Sequence, residues 1–392
     1  RRVAVLSEKV ERFRNFDRSQ GELFFWIGFI ILLFRGMWLS TMFPQNRLLS
    51  TLCIPIAALF IGLKILICDH YSAKQMVLAA VVVICTMLSC YYSRTVNAFI
   101  LILLVFGSRD IEFEKILKMY LVVVGTLMVL AFVASQIGII ENLQYVQRGR
   151  IRNSFGIIYP TDFASHVFYC MTAIFYLMRN KLKIIYYVIA IGVAGLLYYF
   201  CDTRLDSLSI LLVVFLFCME NVMEHTSWIK EGTVRIWRAF WQKIGVYSMP
   251  LAAMVSIGVT LLYRGDDSRW VYINDFLSHR LELGKNMYDA YGIRLFGQDI
   301  EMVGFGGSVT DVQDYNFVDC SYVYVLMVNG ILFLVILIAL YVLNCKSREQ
   351  DEYFLCCIVA MSLNCMIAHH ILQVEYNIWL LSVMTTKRYR NG

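Results

Sequence analysis

The chain alternates long apolar runs with short polar breaks along nearly its whole length. Runs near 22–39, 48–67, 75–92, 96–107, 119–140, 161–178, 184–200, 207–222, 245–263, 320–343, 353–368 and 371–386 are mostly of the length a helix needs to cross a hydrocarbon core of about 30 Å. Lipid offers the backbone no hydrogen-bond partner, so such runs are expected to be helical. The pattern predicts an all-α polytopic membrane protein of about twelve transmembrane helices, the fourth and last being the shortest. Two polar stretches keep an apolar stripe at helical spacing: Val3, Leu6, Val10 and Phe13 in the N-terminal arm, and Val234, Trp237, Phe240, Trp241 and Ile244 within 228–244. Both are expected to lie in the membrane interface as anchors.

Composition supports the same reading. At 59% hydrophobic and 16% charged over 392 residues, the chain carries far more apolar surface than a soluble core can absorb. No Gly/Ser-rich linker or repeat interrupts it, which predicts a single domain over 1–392, with 264–319 as a long loop inserted between spans. The first twenty residues are basic but have no apolar core, so they are not read as a signal peptide. Most of the cysteines fall inside apolar runs, where Cys behaves as a small hydrophobe. Neither they nor the adjacent His369 and His370 show metal-ligand spacing. No metal, cofactor or nucleic-acid partner is expected.

Orientation follows from the polar breaks. The N-terminal arm, "RNKLK" (179–183), the 223–244 segment and "KRYR" (387–390) are basic and share one side if there are twelve spans. That side is expected to be the cytoplasm, with both termini in it. Eleven of the twelve lysines then lie on it, Lys285 being the exception, whereas eleven of the twenty-three arginines lie outside. An outer set of cations made almost wholly of arginine points to the planar, bidentate fork that matches phosphate oxygens. These arginines concentrate in three outer loops: "RGRIRNSFGIIYP" (148–160), "CDTRLD" (201–206) and 264–319.

The third loop has more to say. Residues 269–289 read as one amphipathic helix, with Arg269 and Arg280 about three turns apart on its apolar face. An arginine there requires a counter-anion, which makes these two the leading anion-ligand candidates. From 264 to 319 ten acidic residues face five basic ones, which disfavours a plain polyanion surface. Local arginines amid carboxylates suit a ligand with one phosphate-bearing end and a neutral, hydroxyl-rich body.

Four stretches carry a resemblance to a known family. "RNSFGIIYPTDFA" (152–164), "DTRLDSL" (202–208), "SHRLELGKNMYDAYGIRLFGQD" (278–299) and "NFVDCSYVYVLMVNGILF" (316–333) resemble the Arg-containing loop, the turn at a helix start, the long-loop Arg with its Leu-Phe-Gly, and the Asp-x-Ser-Tyr helix ending in Gly-Ile of the Wzy-type polysaccharide polymerases, which are related to the O-antigen ligases. Thr161 stands where Asn is frequent in that family, and Tyr159 where His is frequent.

The resemblance implies a GT-C-like membrane glycosyltransferase of the bacterial inner membrane, inverting and metal-independent. It would polymerise oligosaccharide repeat units carried on undecaprenyl diphosphate into capsular polysaccharide or O-antigen on the outer face. Lipid-linked donor and acceptor, the bilayer, and chain-length regulator and flippase proteins are the partners it implies. Arg150, Arg152, Arg204, Arg269, Arg280 and Arg294 are the expected diphosphate-binding residues, and His279 and Asp319 the candidate bases for the acceptor hydroxyl. A ligase moving the glycan to another acceptor is the alternative enzyme. A flippase for the same lipid is the alternative of another class, disfavoured because Arg35 and Lys64 are nearly the only charges within the spans and both are placed to snorkel.

Overall fold

The computed structural model describes the chain except residues 1, 148, 226–229, 309–314 and 387–392, with side chains from Ser19 onward apart from that of residue 225. Arg148, Asp311, the "KRYR" tail and the side chains of the N-terminal stripe therefore lie outside the described residues. The chain is built almost wholly from helices. In order these are α1 (Arg2–Leu39), α2 (Arg47–Leu63), α3 (Ala73–Ser93), α4 (Asn97–Gly107), α5 (Phe113–Gln136), α6 (Pro160–Met178), α7 (Ile184–Cys201), α8 (Arg204–His225), α9 (Glu231–Leu262), α10 (Ser268–Phe276), α11 (Arg280–Tyr291), α12 (Ser321–Tyr324), α13 (Gly330–Ser347) and α14 (Glu352–Asn364). Among the described residues, eight helical stretches are long and apolar enough to cross a membrane, which makes this an all-α polytopic membrane protein.

The helix ends gather at two faces. At one face Met42 N donates to Gly156 O (2.9 Å), Ile158 N to Ser40 O (2.9 Å) and Gly307 N to Ile158 O (2.8 Å). This is the loop face. At the opposite face Arg179 pairs with Glu114 (2.8 Å), Lys115 with Glu22 (3.4 Å) and Arg238 with Glu352 (3.6 Å), and Tyr176 Oη donates to Asp351 Oδ2 (2.7 Å). Between the faces the core is apolar and aromatic. Trp379, for example, meets Phe113, Tyr176 and Phe354 with centroid separations of 5.3–5.7 Å.

Four local features depart from the sequence reading, each for a physical reason, and a fifth gives form to a stretch read only as a loop. The apolar run at 371–386 is not a long helix but an irregular return with 3-10 turns at His370–Leu372 and Trp379–Val383. Irregular backbone at this depth survives only when protein surrounds it, and here side chains satisfy it. Tyr120 Oη donates to Tyr376 O (3.0 Å), Asn344 Nδ2 to Trp379 O (3.0 Å) and Ser108 Oγ to Leu381 O (2.8 Å).

The amphipathic stretch at 228–244 is not a separate interfacial helix. From Glu231 it runs on as the first part of α9, 32 residues long and continuous through Gly245 and Pro250, because its aromatic residues find partners in the bundle. Trp241 is buried, and Trp237 Nε1 donates to Glu220 Oε2 (2.8 Å). Lys64 does not snorkel to water either. It is buried and bonded to both oxygens of Asp69 (2.7 and 2.9 Å) and to Arg109 O (2.9 Å), while Arg35 Nε donates to Ser50 O (2.9 Å).

The loop face supplies the other two. The first outer loop carries a two-stranded antiparallel hairpin, β1 (Gln144–Gln147) and β2 (Arg150–Asn153), with Tyr145 opposite Arg152 and Gln147 opposite Arg150. The predicted helix over 269–289 is two helices, α10 and α11, broken at Ser278 and His279, both with positive φ (54° and 63°). Asn274, buried in α10, turns its Oδ1 to accept from Leu281 N and Glu282 N (both 3.1 Å), so it caps α11 from the neighbouring helix. Arg269 and Arg280 consequently do not share a face.

The long loop is fastened to a break in the last long span. That helix passes from α12 through a π turn at Val325–Asn329 and restarts at Gly330. At the break Gln298 N donates to Val328 O (3.0 Å), Ile331 N to Arg294 O (3.1 Å) and Leu332 N to Leu295 O (3.1 Å). The loop thus supplies the hydrogen bonds the helix gives up. Backbones come so close here that a Cβ on Gly330 would lie 2.3 Å from Gly297 N, and one on Gly297 2.2 Å from Val328 O.

Candidate functional site

Arg152 and Arg280, carried by β2 and the first turn of α11, are brought together over Asp319 at the loop face. Strand alternation explains Arg152. It and Arg150 project to the same side, towards the α7–α8 turn, while Ile151 projects away and is exposed. Arg152 is buried, with Nε donating to Cys201 O (3.0 Å) and Nη1 to Gln147 Oε1 (2.7 Å) and Tyr159 Oη (3.4 Å). Among the described residues its Nη2 makes no hydrogen bond. The strand is held by Gly156 (φ 80°), whose missing side chain lets the turn after β2 touch α5: a Cβ there would lie 2.4 Å from Ala131 O.

Arg280 is nearly enclosed. Its Nε donates to Ile367 O (2.9 Å), Nη1 to Leu277 O (3.1 Å), and Nη2 pairs with Asp319 Oδ2 at 3.2 Å. The counter-anion that its burial demands is thus a carboxylate of the chain itself. Burial pushes the Asp319 carboxyl up from its ordinary range, and the guanidinium groups of Arg280 and then Arg152 pull it back. Burial likewise raises the Tyr159 phenol against the pull of Arg152. Tyr145 packs edge-on to Tyr159 (4.9 Å) and bonds the carbonyls of Ile158 (3.2 Å) and Phe305 (2.9 Å), tying the hairpin to the long loop.

Beneath this pair lie residues to which the sequence reading gave no role in the site. Asp162 of α6 is within electrostatic range of both Asp319 and Asp206 of α8, and Ser165 Oγ donates to Asp206 Oδ1 (3.1 Å). His370 Nε2 stands 3.6 Å from Asp162 Oδ1, and the His370 ring is the top of a three-ring stack, with Tyr376 at 3.7 Å and His166 beyond it at 3.8 Å. His369 packs against Phe317 at 4.7 Å and His370 at 4.3 Å. A signal for these was present in part: Asp162 and His166 are polar residues, one helical turn apart, inside an apolar run.

The remaining predicted residues stand apart from this cluster. Arg269 is the clearest correction: its side chain is 87% exposed and paired with Asp267 (3.1 Å) at the start of α10, because the helix break turns it away from Arg280. His279 is exposed and faces Asp275 (3.6 Å) and Glu282 (3.4 Å). Arg150 is half exposed, pairs with Asp202 (3.3 Å) and lies over the Tyr198 ring (5.5 Å), at the edge of the site. Arg204 and Arg294 are exposed. Gly304 packs on Phe317, and Gly307 is part of the tie to Ile158.

Among the described residues no group of three or more His, Cys, Asp or Glu is arranged to hold a metal ion. A cavity of about 520 Å³ between α2, α3 and α4 is lined mainly by apolar residues such as Ile65, Phe99 and Phe106 and contains none of these arginines. No family model, no characterised protein and no solved structure matches the chain.

Proposed function

We propose that this protein is a membrane glycosyltransferase that polymerises oligosaccharide repeat units carried on undecaprenyl diphosphate. The observation that carries the reading is the gathering of two arginines, Arg152 buried and Arg280 largely enclosed, around Asp319 at the loop face of an otherwise apolar bundle. Burying fixed positive charge is costly, and a preorganised pair of guanidinium groups is the arrangement that meets the charge developing on a departing diphosphate. Arg150 extends the positive rim towards bulk water. The family resemblance of "RNSFG", "HRLELG" and "DCSY" supports the substrate class and the likeness to GT-C-like enzymes.

On this reading α4, α6, α14 and the irregular return at 365–386 join the eight long helices to make twelve passages. The loop face is extracytoplasmic and both termini are cytoplasmic, in a bacterial inner membrane. The lysine asymmetry supports that orientation. Donor and acceptor are both lipid-linked, and a chain-length regulator and a flippase are the partner proteins.

The test is to incubate purified protein in liposomes with a defined lipid-linked repeat unit and separate the products by size. A ladder is expected. A single adduct on a different acceptor would make the protein a ligase instead, and intact but translocated substrate would make it a flippase.

A further inference from the structure

We infer that Asp162, with His370 behind it, accepts the proton of the attacking sugar hydroxyl, and that Asp319 instead positions Arg280. The inference rests on the polymerase reading and names the proton acceptor that the reading requires.

Asp319 is the less suitable base because its carboxylate is already committed. Oδ2 pairs with Arg280 Nη2 at 3.2 Å, and a carboxylate held by a guanidinium gains little by taking a proton. Asp162 differs. Among the described residues it has no salt bridge to Lys or Arg, and its partner is His370 Nε2, 3.6 Å from Oδ1.

The protonation of His370 is set from its other side. Nδ1 faces Gln373 Oε1, an acceptor, so Nδ1 carries the ring proton and Nε2 turns its lone pair towards Asp162. A carboxylate and an imidazole lone pair then face each other, and one added proton converts a repulsive contact into a hydrogen bond. That is the property wanted in a general base. The ring cannot swing away, because Tyr376 and His166 stack beneath it at 3.7 and 3.8 Å with planes within 12° of parallel. His166 is anchored in turn by its Nε2 contact with Ser40 Oγ (3.1 Å). The Asp162 side chain keeps 12% of its surface open, against 3% for His370, so the carboxylate rather than the ring meets the substrate.

The step balances. The acceptor oxygen forms a bond to the anomeric carbon, and the bond from that carbon to the diphosphate oxygen breaks with its electron pair going to the diphosphate. The hydroxyl proton passes to Asp162 and is shared with His370. Arg152 and Arg280 meet the charge that leaves, and the proton goes to a carboxylate that neither of them holds.

Several groups face Asp162 and enter any pH profile. They are Asp206 from α8, Asp319 from the segment before α12, Tyr145 from β1, Tyr159 at the start of α6, Tyr315 from the long loop, and His370 and Tyr376 from the return segment.

The test compares Asp162→Asn, Asp162→Glu, His370→Gln and Asp319→Asn in liposomes at matched abundance, with the ladder assay and with binding of undecaprenyl diphosphate itself. Asp162→Asn should lower kcat by about 10²–10⁴-fold while leaving diphosphate affinity within about threefold. Asp162→Glu should restore part of the rate. His370→Gln should shift the acidic limb of the kcat profile and leave diphosphate affinity within about threefold, whereas Asp319→Asn should weaken diphosphate binding. A wild-type protein that forms ladders while Asp162→Asn keeps near-normal kcat overturns this assignment and leaves the polymerase reading standing. A wild-type protein that binds undecaprenyl diphosphate but forms no ladder overturns both.

Discussion

Replacing Gly330 by Ala should unfasten the long loop from the broken span. Gly330 has φ 89° and ψ 167°, a conformation open almost only to glycine, and forcing an L-residue into it costs about 1–3 kcal/mol. The added Cβ would lie 2.3 Å from Gly297 N and 2.6 Å from Leu295 O, so the loop must retreat by about 1 Å to reach ordinary contact. That retreat stretches the 3.1 Å bonds from Ile331 N and Leu332 N to Arg294 O and Leu295 O beyond bonding range, at about 0.5–1.5 kcal/mol each. The total is roughly 2–6 kcal/mol, or about one and a half to four orders of magnitude in the equilibrium for loop opening. Gly292→Ala is the control: its φ is 64°, but nothing lies within 4 Å of the added Cβ, so only the backbone strain applies. Trypsin should nick the loop at Lys285 and Arg294, in micelles and at matched abundance, at least about tenfold faster in Gly330→Ala than in Gly292→Ala, since opening free energy sets the rate. Equal nicking of the two variants would show that the loop is not docked on the break.

Four other outcomes are expected. Arg280→Lys keeps the charge but loses the fork that reaches Ile367 O, Leu277 O and Asp319 together, and should lower polymer output about a hundredfold; Lys285→Ala, whose partner is the exposed Asp289, should leave output unchanged. Arg152→Ala should abolish polymer while Arg150→Ala reduces it only a few-fold, judged by product ladders; the reverse order would move the diphosphate to the rim. Lys64→Met strands the buried Asp69 carboxylate and should cost about 3–5 kcal/mol in thermal unfolding, most of it recovered when Asp69→Leu is added. A cysteine probe at Lys285 should be labelled in intact cells and one at Lys181 should not, and the opposite pattern would invert the proposed orientation.

How much was legible beforehand differs by element. The long spans could be read from sequence because lipid imposes one solution on an apolar run of sufficient length: its backbone must bond to itself, and a helix does that with no help from the rest of the chain. That Arg152, Arg280 and Asp319 are charges beside apolar stretches and need partners was also legible. The partner itself was not. That Arg280 is neutralised by Asp319 from a segment some forty residues on, and that Arg269 pairs locally with Asp267 in open solvent, depends on the break at Ser278–His279. The cap that stabilises it comes from Asn274 on the neighbouring helix.

The return segment shows the limit most clearly. By composition 371–386 is another apolar run, and nothing in its order of residues separates a helix from an irregular strap. What decides is whether neighbouring helices bring Tyr120, Ser108 and Asn344 to its carbonyls, which only the packed bundle determines. The same packing places His370 of that strap against Asp162 of α6. The sequence by itself determined that this chain enters a membrane as helices and that arginine gathers in its loops, because solvent and local periodicity enforce both. Which charges meet was decided only by the tertiary structure, because an ion pair depends on distances between segments far apart in the chain.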